Sequence, residues 1–247
     1  MRMGGKIISG TKLVLFLLAV FLLIKAAGVK AEAVKAVELR GALVLSESDD
    51  LEEYNTNNNS SLGLGFKIVK RLHPNFYYQL GLNLSYTRVS LESDEFIFGG
   101  SIHFDEKIKL VSLEAPLLIK MPFNPDNIYS SSLYFGAEPG VFLSDKRSGD
   151  YLLTADNEEF TGSYESSIGN LRVYKVGIVT GFEKFFKIGN SFYSLDLRYT
   201  KNLLKSFEKV EDIPQSYSNN ENPFVDKNGN AIDMILNSFT ISISRYF

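Results

Sequence analysis

The sequence predicts an all-β fold: an eight-stranded antiparallel up-and-down transmembrane β-barrel. Three observations predict it. Apolar and polar residues alternate at period two in eight segments. The connections between those segments alternate between short and long. The chain closes on an amphipathic run ending in Phe247.

Alternation at period two marks strands whose two faces meet different surroundings. The eight segments lie near residues 35–45, 61–71, 76–90, 107–121, 131–143, 171–186, 191–203 and 234–247. Each is long enough for a tilted strand to cross a membrane, which takes about 10 residues. Short links are expected at Leu72–Asn75, at Pro122–Ser130 and at Lys187–Asn190. The other connections, 46–60, 91–106, 144–170 and 204–230, are long. A barrel with both termini on the periplasmic side has short turns there and long loops outside. The four long connections carry 21 of the 29 acidic residues. Strands with apolar outer faces leave charge to collect where water is, so solvation alone accounts for these acids.

Ahead of the strands, Arg2, Lys6 and Lys12 precede an apolar run of 12 residues, LVLFLLAVFLLI, and small residues follow it. This reads as a cleavable signal peptide over 1–31, with Ala31 or Ala33 at the cut and the barrel over 34–247. A retained spanning helix would need about 20 apolar residues. Removal of 1–31 leaves 21 basic and 29 acidic residues, a net charge of −8. That balance disfavours nucleic acid as a partner. Cys is absent, which excludes disulfides, thiol catalysis and a lipid-bearing cysteine.

Alternation alone does not say which face is inside. A soluble barrel of the lipocalin kind would turn its apolar face inward. Aromatics at the short-turn ends favour the membrane version: Phe76, Tyr77 and Tyr78, then Phe182, Phe185 and Phe186, then Phe192 and Tyr193. Such residues form girdles at membrane interfaces. With the apolar face outward, five acids (Glu38, Glu114, Glu138, Glu183, Asp196) and five bases (Arg40, Lys67, Lys120, Lys175, Arg198) fall on the inner face. An eight-stranded barrel is just wide enough for its side chains to fill, so these charges are expected to pair. Gly63, Gly65, Gly81, Gly136, Gly140, Gly177 and Gly181 share that face and leave room for long side chains. Pro116 and Pro139 are expected to mark bulges.

Signals for chemistry are weak. Ser101, His103 and Glu106 could be read as a hydrolase set, but no motif surrounds them. His73 sits beside Pro74 in a turn. Asp226–Asn230 resembles the start of a calcium loop, yet Ala231 and Asn237 stand where the loop needs Gly and Glu. Asn57–Asn59 before Ser60 reads as a flexible loop. No catalytic, cofactor-binding or metal-binding residue is assigned, and no enzymatic activity or cofactor is expected.

The segments LEAPLLIKMPF at 113–123, YFGAEPGVFL at 134–143, YKVGIVTGFEKFF at 174–186, LDLRYTKNL at 195–203 and the closing ISISRYF resemble the PorT-like outer-membrane β-barrels of Bacteroidetes-type bacteria. Glu114–Leu118 and Arg198–Tyr199 are the most telling pieces, and the likeness covers most of the chain beyond residue 107. The resemblance implies an eight-stranded barrel without a cofactor, located in the bacterial outer membrane. It implies a structural or accessory role, in some members in protein secretion or envelope assembly. Expected partners are outer-membrane lipid, the barrel-insertion machinery through the last strand, and secretion or envelope proteins. The alternatives are a surface-binding or adhesion module using its acidic loops and, less favoured, a lipid-modifying barrel enzyme.

Overall fold

A computed structural model describes residues 33–47, 54–97, 100–155, 158–166, 174–204 and 235–247. The signal segment, the 205–234 connection and Asp226–Asn230 within it lie outside the described residues. Among the described residues the regular structure is all strand. Its elements are β1 (Ala33–Glu47), β2 (Tyr54–His73), β3 (Phe76–Ile97), β4 (Gly100–Glu114), β5 (Leu117–Pro122), β6 (Ser132–Ala155), β7 (Glu158–Ser166), β8 (Tyr174–Ile188), β9 (Ser191–Asn202) and β10 (Ile235–Tyr246).

Every pairing is antiparallel, and the pairings return on themselves through eight strands: β1, β2, β3, β4, β6, β8, β9, β10 and back to β1. The first and last strands close the ring over a long register, from Ala36 opposite Tyr246 to Glu47 opposite Ile235. The remaining two strands are continuations. β5 carries on from β4 between β3 and β6. β7 flanks the far end of β6, on the same edge that β8 occupies lower down.

The division of β4 from β5 falls at Ala115–Pro116, where proline cannot donate to the ladder. The backbone stays satisfied there: the Gly81 N–H donates to the Pro116 carbonyl at 2.9 Å and the Ala115 N–H to the Pro139 carbonyl at 2.8 Å. Pro139 itself disturbs nothing, because the β6–β8 register runs unbroken across it. The bulge expected at Pro139 lies a few residues on, where Val111 and Ser112 are opposed by Ser144 and Phe142.

The short turns fall at Pro74–Asn75, 123–131 and Gly189–Asn190, all at one end, here called the turn side. Gly189 adopts φ 57°, a left-handed conformation that a β-carbon would strain. At the opposite, loop side, two of the connections expected to be long loops prove to be hairpins. β3 and β4 pair out to Ile97 and Gly100, and β6 and β7 out to Ala155 and Glu158. Together with the first residues of β2, these strands carry the sheet beyond the ring on one flank.

Side-chain placement inverts that of a water-soluble protein. Glu38, Arg40, Lys67, Glu114, Lys120, Glu138, Glu183, Asp196 and Arg198 are buried, while Leu39, Leu43, Leu62, Leu64, Ile178, Leu197, Ile241 and Ile243 are exposed. The apolar residues are those of the outward parity on each strand, and they form a continuous belt around the ring. A soluble barrel would place them inside.

Candidate functional site: the ionic interior

Many of the ion pairs join strands that are not sheet neighbours, so they cross the interior. From β1, the Arg40 guanidinium reaches Glu114 of β4 at 2.9 Å and Glu138 of β6 at 3.4 Å. From β2, Lys67 Nζ lies 2.8 Å from Glu183 of β8 and 3.2 Å from Glu38 of β1. Arg198 of β9 reaches Glu138 at 3.4 Å and Asp196 at 3.2 Å. Lys120 pairs with Glu183, and Lys175 with Glu114. All ten charges expected on the inner face are thus brought together. Glu38 joins two clusters, since it lies 3.4 Å from Arg40 as well as beside Lys67.

Neutral donors complete the network. The Tyr246 hydroxyl donates to Glu183 Oε1 at 2.7 Å and the Ser194 hydroxyl to the same oxygen at 2.6 Å. Ser85 and Ser112 donate to Glu114 at 3.1 and 2.9 Å. The Tyr134 hydroxyl donates to Asp196 and accepts from Arg198 Nε at 3.3 Å. A buried charge left without such partners costs several kcal/mol, so the ten residues are held as a set.

Glycine makes the room. Gly181 lies between Tyr134 on β6 and Arg198 on β9 in the register. A β-carbon there would fall 2.3 Å from the Tyr134 hydroxyl oxygen and 2.4 Å from its ring. The tyrosine can cross toward Asp196 only because that position is bare.

The ionic layer is capped at both ends. On the turn side, Ala36, Val69, Tyr77 and Tyr246 are buried, with Tyr129, Phe185 and Phe192 against them. Tyr129 stacks on Phe192 with ring centres 3.8 Å apart and meets Phe185 edge-on at 5.8 Å. The Tyr77 hydroxyl donates to the Pro125 carbonyl at 2.8 Å. This corrects the expected girdle. Strand parity sends Tyr77, Phe185 and Phe192 inward as a plug, and leaves Phe76, Phe186 and Tyr193 at the outer rim. On the loop side, Val44, Val89, Ile108, Leu110, Phe142 and Leu236 form a buried apolar layer. Between it and the charges lies a cavity of about 50 Å³, lined by Arg40, Ser61, Thr87, Glu114, Lys175 and Thr200 among others. That is room for a few waters.

The two apolar caps were missed from sequence, although parity carries a signal: Tyr77 precedes Gln79 by two residues, and Phe185 follows Glu183 by two. Tyr129 comes from a turn, where no periodicity exists to read.

The hydrolase set is not brought together. In β4, His103 is exposed and Glu106, on the opposite face, is buried. Among the described residues no group of three His, Cys, Asp or Glu could hold a metal ion.

No protein-family model matches the chain, and no curated protein matches it in sequence. Among solved structures it is similar to the attachment invasion locus protein Ail of Yersinia pestis, at 12% identity and a TM-score of 0.33, covering 89% of this chain and 100% of that one. It is similar to Neisserial surface protein A at 11% identity and a TM-score of 0.38, covering 86% and 97%. It is also similar to a FadL homologue of Pseudomonas aeruginosa at 9% identity and a TM-score of 0.27, covering 90% and 91%.

Proposed function

We propose that this chain is an eight-stranded, up-and-down transmembrane barrel of the bacterial outer membrane, exported with residues 1–31 removed. In this reading it is a filled, lipid-embedded scaffold with a structural or accessory role. The observation that carries it is the inverted burial: ten paired charges inside and a belt of exposed leucine, isoleucine and phenylalanine outside. Water would oppose both halves of that arrangement. Lipid favours the outer half, and a closed ring shelters the inner half.

The filled interior supports support rather than conduction. The ionic layer lies between an apolar cap and an aromatic plug, so the barrel carries its loop-side hairpins without opening a path. The resemblance to PorT-like barrels makes secretion or envelope assembly the process in which such a scaffold would serve. Neighbouring components would then dock on it. A second reading, a surface-binding module, is favoured by the hairpins β3–β4 and β6–β7, which extend the sheet beyond the apolar belt. No catalytic step is assigned to it.

The test is refolding from urea into phosphatidylcholine vesicles. The reading expects a protease-resistant species that migrates differently on gels with and without boiling, and vesicles that stay sealed to small ions. A chain that remains monomeric in detergent-free buffer and ignores the vesicles would overturn it. A pull-down from gently solubilised membranes separates the roles. Co-purifying secretion or envelope components support the scaffold, and their absence together with binding to host or matrix ligands supports the second reading.

A further inference from the structure

The outer face of β3, β4 and β6 carries an ordered set of charges just beyond the apolar belt on the loop side. Arg88 of β3 stands directly opposite Lys109 of β4, and Lys109 directly opposite Lys146 of β6. Val89 beside Arg88, and Ile108 and Leu110 beside Lys109, are buried in the interior, so both bases stand on the outer face, and Lys146, directly opposite Lys109 and exposed, shares it. One row toward the belt, Tyr86 is opposite Val111. One row away from it come Lys107 and, across Ser148, Glu165, and the row after that is wholly acidic, with Asp105 opposite Glu92 and Asp150.

Like charges directly opposite one another in a sheet are destabilising. Lys146 is relieved by Glu165 and Lys107 by Asp105. Among the described residues Arg88 and Lys109 have no acidic partner. Solvation explains scattered surface charge, but it does not explain three bases in register at the edge of an apolar belt.

We propose that Arg88, Lys109 and Lys146 form a docking site for the phosphate-bearing headgroups of anionic lipid in the loop-side leaflet. This inference rests on the membrane reading above. The belt fixes the height: side chains one row past the last apolar residues meet the headgroup layer. The charge fits a phosphate, and the flexible stems lie along apolar surface while their heads reach outward. The same face already touches the acyl chains, so one lipid can engage belt and row together. The acids farther out leave the phosphate with a single favourable depth.

The experiment loads the full chain, purified in a neutral detergent, with bis-phosphorylated lipid A or its dephosphorylated counterpart, and measures retention by native mass spectrometry. The phosphorylated form is expected to be retained in preference. Combining Arg88→Gln, Lys109→Gln and Lys146→Gln should weaken that retention about tenfold or more. Lys184→Gln with Lys187→Gln, which removes exposed lysines at the turn side, should leave it unchanged. Retention by the unmutated chain should fall as salt rises, which tests the proposal even if the triple variant folds poorly. Inorganic phosphate at the concentration of the lipid should not compete. Equal retention of both lipids, salt-independent retention, an unaffected triple variant or full competition by inorganic phosphate would each overturn the proposal. Insertion of the unmutated chain into phosphatidylcholine vesicles is scored separately. If it inserts and shows any of those results, the lipid site alone is wrong. If it does not insert, the barrel reading falls and the site with it.

Discussion

The hydroxyl of Tyr246 donates to Glu183 Oε1 at 2.7 Å, so the penultimate residue of the chain is tied to the carboxylate that also holds Lys67 and Lys120. β10 is the strand that closes the ring against β1. Ring closure and charge pairing are therefore coupled at one oxygen. Tyr246→Phe removes the donor and keeps the ring. A hydrogen bond to a charged group is worth about 1.5–3 kcal/mol. The urea midpoint of the folded barrel should drop accordingly, while the aromatic plug around Tyr129 stays packed.

Glu183→Gln should do more. It leaves Lys67 and Lys120 buried beside a neutral amide, and breaking a buried pair on one side costs about 3–5 kcal/mol. Lys120→Met on top of Glu183→Gln restores the balance, since Lys67 keeps Glu38 at 3.2 Å. A double-mutant cycle read by urea unfolding in detergent should show the second substitution recovering part of the loss. Simple additivity would mean that the charges do not act as a set.

Gly181→Ala places a methyl against the Tyr134 ring. Overpacking of this kind costs about 1–3 kcal/mol. Gly41→Ala is the matched control, because the nearest atom to its added carbon is Leu62 Cδ2 at 4.0 Å. The first variant should unfold at clearly lower urea than the unmutated chain, and the second should match it.

The inner charges were readable in the sequence because each sits in a strand with a strong apolar partner face. Leu195 and Leu197 fix the parity that sends Asp196 and Arg198 inward, and Val111 and Leu113 do the same for Glu114. The hairpin extensions were not readable. Past Val111 the outward residues are Lys109, Lys107 and Asp105, and past Tyr86 they are Arg88 and Ser90. Beyond the belt the contrast inverts, with Val89, Ile108 and Leu110 inward beside Arg88, Lys107 and Lys109, so the apolar outward face that marks a lipid-crossing strand ends while backbone pairing continues. Only part of the expected aromatic girdle faces outward, for a different reason. Adjacent aromatics such as Phe76 and Tyr77 satisfy a compositional pattern, but neighbours on a strand must face opposite ways.

Leu197 and Arg198 are adjacent and face opposite ways, exposed and buried respectively. Leu197→Arg puts a charge into lipid and should cost about 2–4 kcal/mol near mid-membrane, reducing the fraction that inserts into vesicles. Arg198→Leu leaves Asp196 and Glu138 short of a cation. Its lower urea midpoint should be partly recovered by Asp196→Asn. A soluble barrel would reverse the order, tolerating Arg198→Leu as a mild surface change.

The most direct measurement uses the absence of native cysteine. A single cysteine at Leu39, whose side chain is on the exposed belt, is coupled to a small fluorophore, and the chain is refolded into vesicles containing brominated lipids. Bromine in the acyl chains should quench the label strongly, and a water-soluble quencher should not. A label at Leu39 that bromine leaves bright and an aqueous quencher extinguishes would contradict the lipid-facing belt, and with it the barrel whose charges are held inside.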